Sequence, residues 1–132
     1  MNKYQEFSDL LVWQKAHQFT LEIYRITKEF PSSENFRLVN QLCRSASSIP
    51  TNIAEGFGRS SKKDFAHFLS IAKGSTKESF YHLILSKDLG YINERMFIDL
   101  VDKCNEISKM LSGLIKSINK NSKLSTQNSK LI

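Results

Sequence analysis

The stretch Gln41–Asp64, QLCRSASSIPTNIAEGFGRSSKKD, decides how this chain is read. It begins as an amphipathic helix, runs through Pro50 and breaks at Gly56-Phe57-Gly58. A proline inside a helix removes one backbone hydrogen bond and crowds the preceding turn, at a cost of ~3 kcal/mol. Leu42, Cys43, Ala46, Ile49, Ile53 and Ala54 keep helical spacing on both sides of Pro50, so the helix is expected to continue through it. Gly56 then fits the left-handed residue that ends a helix, and Gly58 adds freedom before the next start. Ser45, Ala46, Ser47 and Ser48 crowd the middle of the segment with small side chains, which lets a neighbouring helix approach closely. Arg44 stands beside them as a long cation.

Working outward, three more segments carry the same periodicity, and none shows sustained two-residue alternation. The first spans roughly Asp9 to Glu29, with Leu10, Trp13, Ala16, Phe19, Ile23 and Ile26 stepping by three and four. Ser8 is its expected N-cap, and Phe30-Pro31 closes it because the residue before proline disfavours the α region. The second helix is expected from Ser33, with Ser33 as cap, Glu34 at the positive helix end and Phe36 opening the apolar face. Ser60 or Ser61 caps the third, whose stripe runs from Phe65 and Phe68 to Leu83 and Leu89 before Gly90 ends it. Asn93 caps the fourth, with Phe97, Leu100, Val101, Cys104, Ile107, Leu111, Leu114 and Ile118 in a heptad-like pattern. Four such helices joined by short loops predict an all-α fold, an antiparallel up-down four-helix bundle over residues 1–118. Residues 119–132 are rich in Asn, Ser and Lys and are expected to form a disordered basic tail.

A chain of 132 residues is long enough for a single core. Its polar N-terminus does not read as a signal peptide, and no window approaches the ~20 apolar residues of a membrane span. Cys43 and Cys104 are isolated thiols that fit neither a zinc pattern nor a redox pair. Both read as buried small hydrophobes in a reducing, cytoplasmic compartment.

The net charge is +6, of which the tail supplies +3 through Lys120, Lys123 and Lys130. Between Gly56 and Lys77 stand Arg59, Lys62, Lys63, Lys73 and Lys77 against Asp64, a local +4. Such a cluster can attract an anionic partner, nucleic acid first, although a solvated helix face has the same composition.

Catalytic constellations are not evident. Asp64 with His67, and Glu78 with His82, have helical ligand spacing, but a di-iron bundle needs two Glu-x-x-His motifs and two further inward Glu residues. Gly56-Phe57-Gly58 lacks the third glycine and preceding strand of a dinucleotide loop, and no nucleophile elbow is present. The reading is non-enzymatic, with no metal and no cofactor. Glu55 is unusual because the negative end of a helix dipole disfavours a carboxylate there. Its expected compensation is a cation such as Arg44 or Arg59, while Asn52 is expected to bond a carbonyl freed by Pro50. Arg44, Asn52 and Glu55 are thus read as a structural polar cluster whose loss, in Glu55→Ala, lowers thermal stability markedly.

Several of these residues also carry a resemblance. They are Phe7-x-Asp9-Leu10-x-Val12-Trp13-x-Lys15-Ala16, Phe30-Pro31 with Glu34, Gln41-Leu42-x-Arg44-Ser45-Ala46 and Ser48-Ile49-Pro50-x-Asn52-Ile53-Ala54-Glu55-Gly56. Phe68-Leu69-x-Ile71-Ala72-x-Gly74-Ser75-x-x-Glu78 and Leu89-Gly90-Tyr91-Ile92 complete the set. In these the chain resembles the four-helix-bundle proteins encoded in intervening sequences of bacterial 23S rRNA genes, over about residues 6 to 115. That family is similar to the accessory variability protein of diversity-generating retroelements, a pentameric barrel whose basic surface binds nucleic acid and a reverse transcriptase. The resemblance implies a ring-shaped homo-oligomer, a homopentamer, and transfers no catalytic residue.

Together these readings give a non-enzymatic, ring-forming bundle that binds RNA or DNA through Arg59, Lys62, Lys63, Lys73 and Lys77. The alternative is a scaffold that docks a partner protein without binding nucleic acid.

Overall fold

The structure, a computed structural model, describes residues 6–131, with side chains described for residues 6–120. Helices α1 (Leu11–Thr27), α2 (Leu38–Phe57), α3 (Lys62–Asp88) and α4 (Glu94–Leu131) follow one another, with 3-10 turns at Phe7–Asp9 and Ser32–Glu34. Each helix packs on its neighbours in chain order and α4 returns to α1, while no diagonal pair brings its backbones as close among the described residues. The result is an antiparallel up-down four-helix bundle, as short connections between long helices require.

The core is the set of apolar stripes turned inward. Phe19, Ile23, Leu42, Ile49, Ile53, Leu69, Leu83, Leu100, Ile107 and Leu111 are buried completely or nearly so. Each such side chain contributes about 1.5–3 kcal/mol by leaving water.

Several local expectations are corrected. Ser8 does not cap α1: it lies within the first 3-10 turn, and its carbonyl accepts from Gln14 Nε2 at 2.9 Å. α1 starts at Leu11 with no side-chain cap. Ser33 likewise lies in the second 3-10 turn, and α2 starts only at Leu38, leaving Phe36 outside the helix and 94% exposed. Glu34 therefore serves a different purpose, because Tyr91 Oη donates to its carboxylate at 2.7 Å. That bond ties the α1/α2 connection to the α3/α4 connection and holds the Tyr91 phenol above its ordinary pKa. Leu89 is half exposed as the C-cap of α3 instead of continuing its stripe.

The expected stop at Gly56 is also revised. Gly56 is buried inside α2, which ends one residue later, and Gly58 sits in the ordinary right-handed region. Space explains the glycine: a Cβ there would lie 2.7 Å from Phe68 Cβ and 3.0 Å from Phe65 Cδ1. Gly56 is the point where α3 crosses closely over the end of α2.

The other stops agree with expectation. Ser61 Oγ accepts from Asp64 N at 3.0 Å, and Asn93 Oδ1 from Met96 N at 2.8 Å, capping α3 and α4. Gly90 has φ +82°, its N–H reaches Lys87 O, and Tyr91 N–H reaches Ser86 O, both at 2.9 Å. This is the paired closure that a left-handed residue permits at a helix end.

The tail expected over 119–132 lies, from residue 121 on, outside the residues whose side chains are described. Among the described residues no helix is long and apolar enough to cross a membrane.

Candidate nucleic-acid interface

Pro50 shapes the surroundings of the sequence-predicted residues. Lacking an N–H, it leaves Ala46 C=O without its helical donor. The carbonyl is satisfied from another helix: Thr20 Oγ1 on α1 lies 3.1 Å from Ala46 O and 2.8 Å from Ala16 O, so its one hydroxyl proton is shared. Asn52 was expected in this role. Its Nδ2 instead turns back to Ser48 O and Ser48 Oγ, at 2.8 and 2.9 Å. Ser48 Oγ continues the chain to Ser75 Oγ on α3 at 2.9 Å, and Ser79 Oγ donates to Ser45 Oγ at 2.9 Å. Arg44, Asn52 and Glu55 are not joined as one cluster: Asn52 belongs instead to a row of hydroxyls between α2 and α3.

Arg44 and Glu55 stand outside that row. Arg44 is exposed and lies about three helical turns from Glu55, so the two do not meet. Glu55 pairs with Arg59 Nη2 at 2.6 Å, with side chains 54% and 46% exposed. Solvent screens an i,i+4 pair of this kind to about 0.3–0.5 kcal/mol, well below the marked destabilisation expected for Glu55→Ala.

The five basic candidates divide into two groups. Arg59 holds its guanidinium 4.8 Å from the Phe68 ring centroid, on the α2 side of α3. There it borders an open groove of about 820 Å³ with Trp13, His17, Pro50 and Thr51, in which the Trp13 and His17 rings stack at 5.0 Å. Lys62, Lys63, Lys73 and Lys77 lie on the opposite flank of α3. At ~100° per residue they fall within a sector of about 100°. Lys63 borders a hollow of about 290 Å³ with His67, Ile115 and Ile118, which places this flank beside α4. Lys77 lies 5.8 Å from the Phe80 ring centroid, and its charge acts on Cys104 of α4. Lys62, Lys63 and Lys77 are exposed, Lys73 is half buried, and none forms an ion pair among the described residues. Asp64, the acid within this stretch, lies in the first turn of α3, outside the lysine sector.

Sequence reasoning passed over the far side of that flank. Lys109, Lys116 and Lys120 on α4 are exposed and also lack an ion pair among the described residues. Their signal was the acid-free stretch of α4 from Lys109 to Lys120, but only the antiparallel packing sets it opposite the lysines of α3.

Cys43 and Cys104 are free thiols. Burial pushes the Cys104 thiol from its ordinary 9.0 up to about 12, partly opposed by Lys77. His82 Nε2 lies 3.3 Å from Glu78 while its Nδ1 is buried without a partner. Among the described residues no group of three or more His, Cys, Asp or Glu side chains is placed to hold a metal ion.

Known proteins share this fold. The family model described as 23S rRNA-intervening sequence protein matches residues 8–113. A crystal structure of a protein of unknown function from the S23 ribosomal protein family of Bacteroides thetaiotaomicron is 30% identical. It superposes with a TM-score of 0.75, covering 80% of this chain and 99% of the other. No curated protein matches the chain. With a bundle of this topology and a family match across most of its length, the chain belongs to the 23S rRNA-intervening sequence protein family.

Proposed function

We propose that this protein is a non-enzymatic, cytoplasmic bundle that assembles into a ring-shaped homo-oligomer, a pentamer, and binds RNA or DNA through a basic surface. The observation that carries the reading is the face of α3 on which Lys62, Lys63, Lys73 and Lys77 stand without acidic partners among the described residues. Paired lysines are neutralised within the protein, whereas unpaired lysines on one face are available to phosphates. Repeating the face around a ring multiplies its field and its contacts with one long polyanion. Arg59, engaged with Glu55 and Phe68 on the other flank, is secondary. The ring itself comes from the family resemblance.

Salt titration of RNA and DNA binding tests the reading, with the K62Q/K63Q/K73Q/K77Q variant as control. Binding at low salt that weakens steeply with added salt and is lost in the variant supports it; absence of binding at low salt sinks it. Light scattering tests the ring separately: a particle near five times the 15.2 kDa chain mass is expected, and a monomer at micromolar concentration refutes it.

A second reading, a scaffold that docks a partner protein, is favoured by the exposed Tyr81, Ile84 and Ile98 on α3 and α4. Pull-down of a protein without nucleic acid, with no effect of the lysine substitutions, selects it.

A further inference from the structure

We infer that the α3/α4 face is a two-row phosphate track whose ligand is a nucleic-acid duplex, gripped on its backbone without base readout, with Lys109, Lys116 and Lys120 as the second row. The inference rests on the nucleic-acid reading above and specifies its ligand. Its first support is placement. Lys63 lines a hollow with Ile118 and Asn119 of α4, and the charge of Lys77 acts on Cys104, so residues 62–77 of α3 run antiparallel to residues 104–119 of α4. Lys109, Lys116 and Lys120 share a sector of about 40° at ~100° per residue, turned outward beyond the residues that contact α3. The α3 row spans ~22 Å and the α4 row ~17 Å at 1.5 Å per residue, and packed helices lie about 8–10 Å apart.

Two rows of cations on adjacent helices match a stiff polyanion with two strands of phosphates. A flexible single strand gains little from that rigidity. Its binders add aromatic platforms on which bases stack. The rings on the lysine flank are otherwise engaged: His67 packs edge-on against Phe68, and Phe80 lies under Lys77. Lysine meets phosphate as a point charge on a flexible stem and lacks the rigid bidentate fork of arginine. Neither row contains an arginine.

The test uses the full chain and fluorescence anisotropy with a labelled 20-base-pair DNA duplex, the RNA duplex of the same sequence and each isolated strand. At least one of the two duplexes is expected to bind at least about tenfold more tightly than its strands, and scrambling the sequence to change affinity by less than about twofold. K109Q/K116Q/K120Q, at exposed positions, is expected to weaken duplex binding at least about tenfold and to reduce the slope of log affinity against log salt by about 2 to 3. Neutralising Arg25 and Lys28 on the α1 side is expected to change it by less than about twofold. Single strands that bind as tightly as duplexes, or an α4 variant with unchanged affinity and slope, overturn the inference while the nucleic-acid reading stands. If neither form binds at low salt, both fall. A duplex preference confined to DNA or to RNA supports the track and identifies which backbone geometry the two rows match.

Discussion

Where α2 meets α3, Ser45, Ser48 and Gly56 face Ser75, Ser79 and Phe68, and this is the most closely packed pair of helices in the bundle. Where α1 meets α4, the least closely packed pair of neighbours, long charged side chains bridge the gap. Lys15 reaches Glu106 at 2.8 Å, and Lys103, also paired with Asp99 of its own helix at 3.1 Å, reaches Glu22 at 2.6 Å. The hydrogen bond to Glu22 is the main reason the Lys103 ammonium is held above its ordinary pKa. The difference shows where sequence is constrained. Close approach leaves no room for added atoms and strands any polar group that loses its partner, whereas a seam of solvated ion pairs has slack in both respects.

The largest effect is therefore expected at Gly56. Gly56→Val places side-chain atoms within the 2.7 Å gap to Phe68 Cβ and is expected to cost about 2–3 kcal/mol, read from denaturant unfolding. Near-wild-type stability would mean that α3 can shift away and that the seam is not tightly held.

Next comes the proline carbonyl. Thr20→Val removes the donor that serves Ala46 O and is expected to cost about 1–2 kcal/mol. In the Pro50→Ala background, where the alanine restores the helical N–H, the same change is expected to cost less. A double-mutant cycle with no coupling would refute the link between Thr20 and Pro50.

Cys104 sharpens the comparison by chemistry. With its thiol held at about 12, native protein at pH 8 is expected to leave Cys104 unmodified by a thiol reagent, and denatured protein to expose it. The sign also follows for stability. A folded pKa above the ordinary 9.0 leaves the Cys104 contribution intact below pH 9 and erodes it as pH rises towards 12. Rapid native labelling of Cys104 would show that the core around it opens.

The smallest effects belong to the solvated pairs. Lys103→Ala is expected to cost no more than about 1 kcal/mol and Glu55→Ala about 0.3–0.5 kcal/mol, both shrinking in high salt. A loss above about 2 kcal/mol at either position would erase the contrast between the seams.

The bundle was legible because each helix carries its own period. Leu100, Cys104, Ile107 and Leu111 step by three and four, and all are buried. Helix ends were legible where the signal is local, as at Ser61, Gly90 and Asn93. They misled at Ser8 and Ser33, which lie inside 3-10 turns, away from the N-cap positions Leu10 and Arg37. The basic candidates were legible as a composition and not as a surface. Arg59 and Lys62 are close in sequence, yet the turn between α2 and α3 sends them to opposite flanks.

What the amino-acid sequence determined alone is the set of helices and the positions with small or apolar side chains, since both follow from spacing along one strand of chain. The tertiary structure decided what those positions face. Gly56 is a helix crossing, not a helix stop, because Phe65 and Phe68 of α3 lie over it. The carbonyl released by Pro50 is satisfied by Thr20, from a helix further back along the chain. The two lysine rows come together only because α4 returns antiparallel beside α3. Partners, clashes and shared faces are distances between segments, and periodicity within a segment carries no information about them.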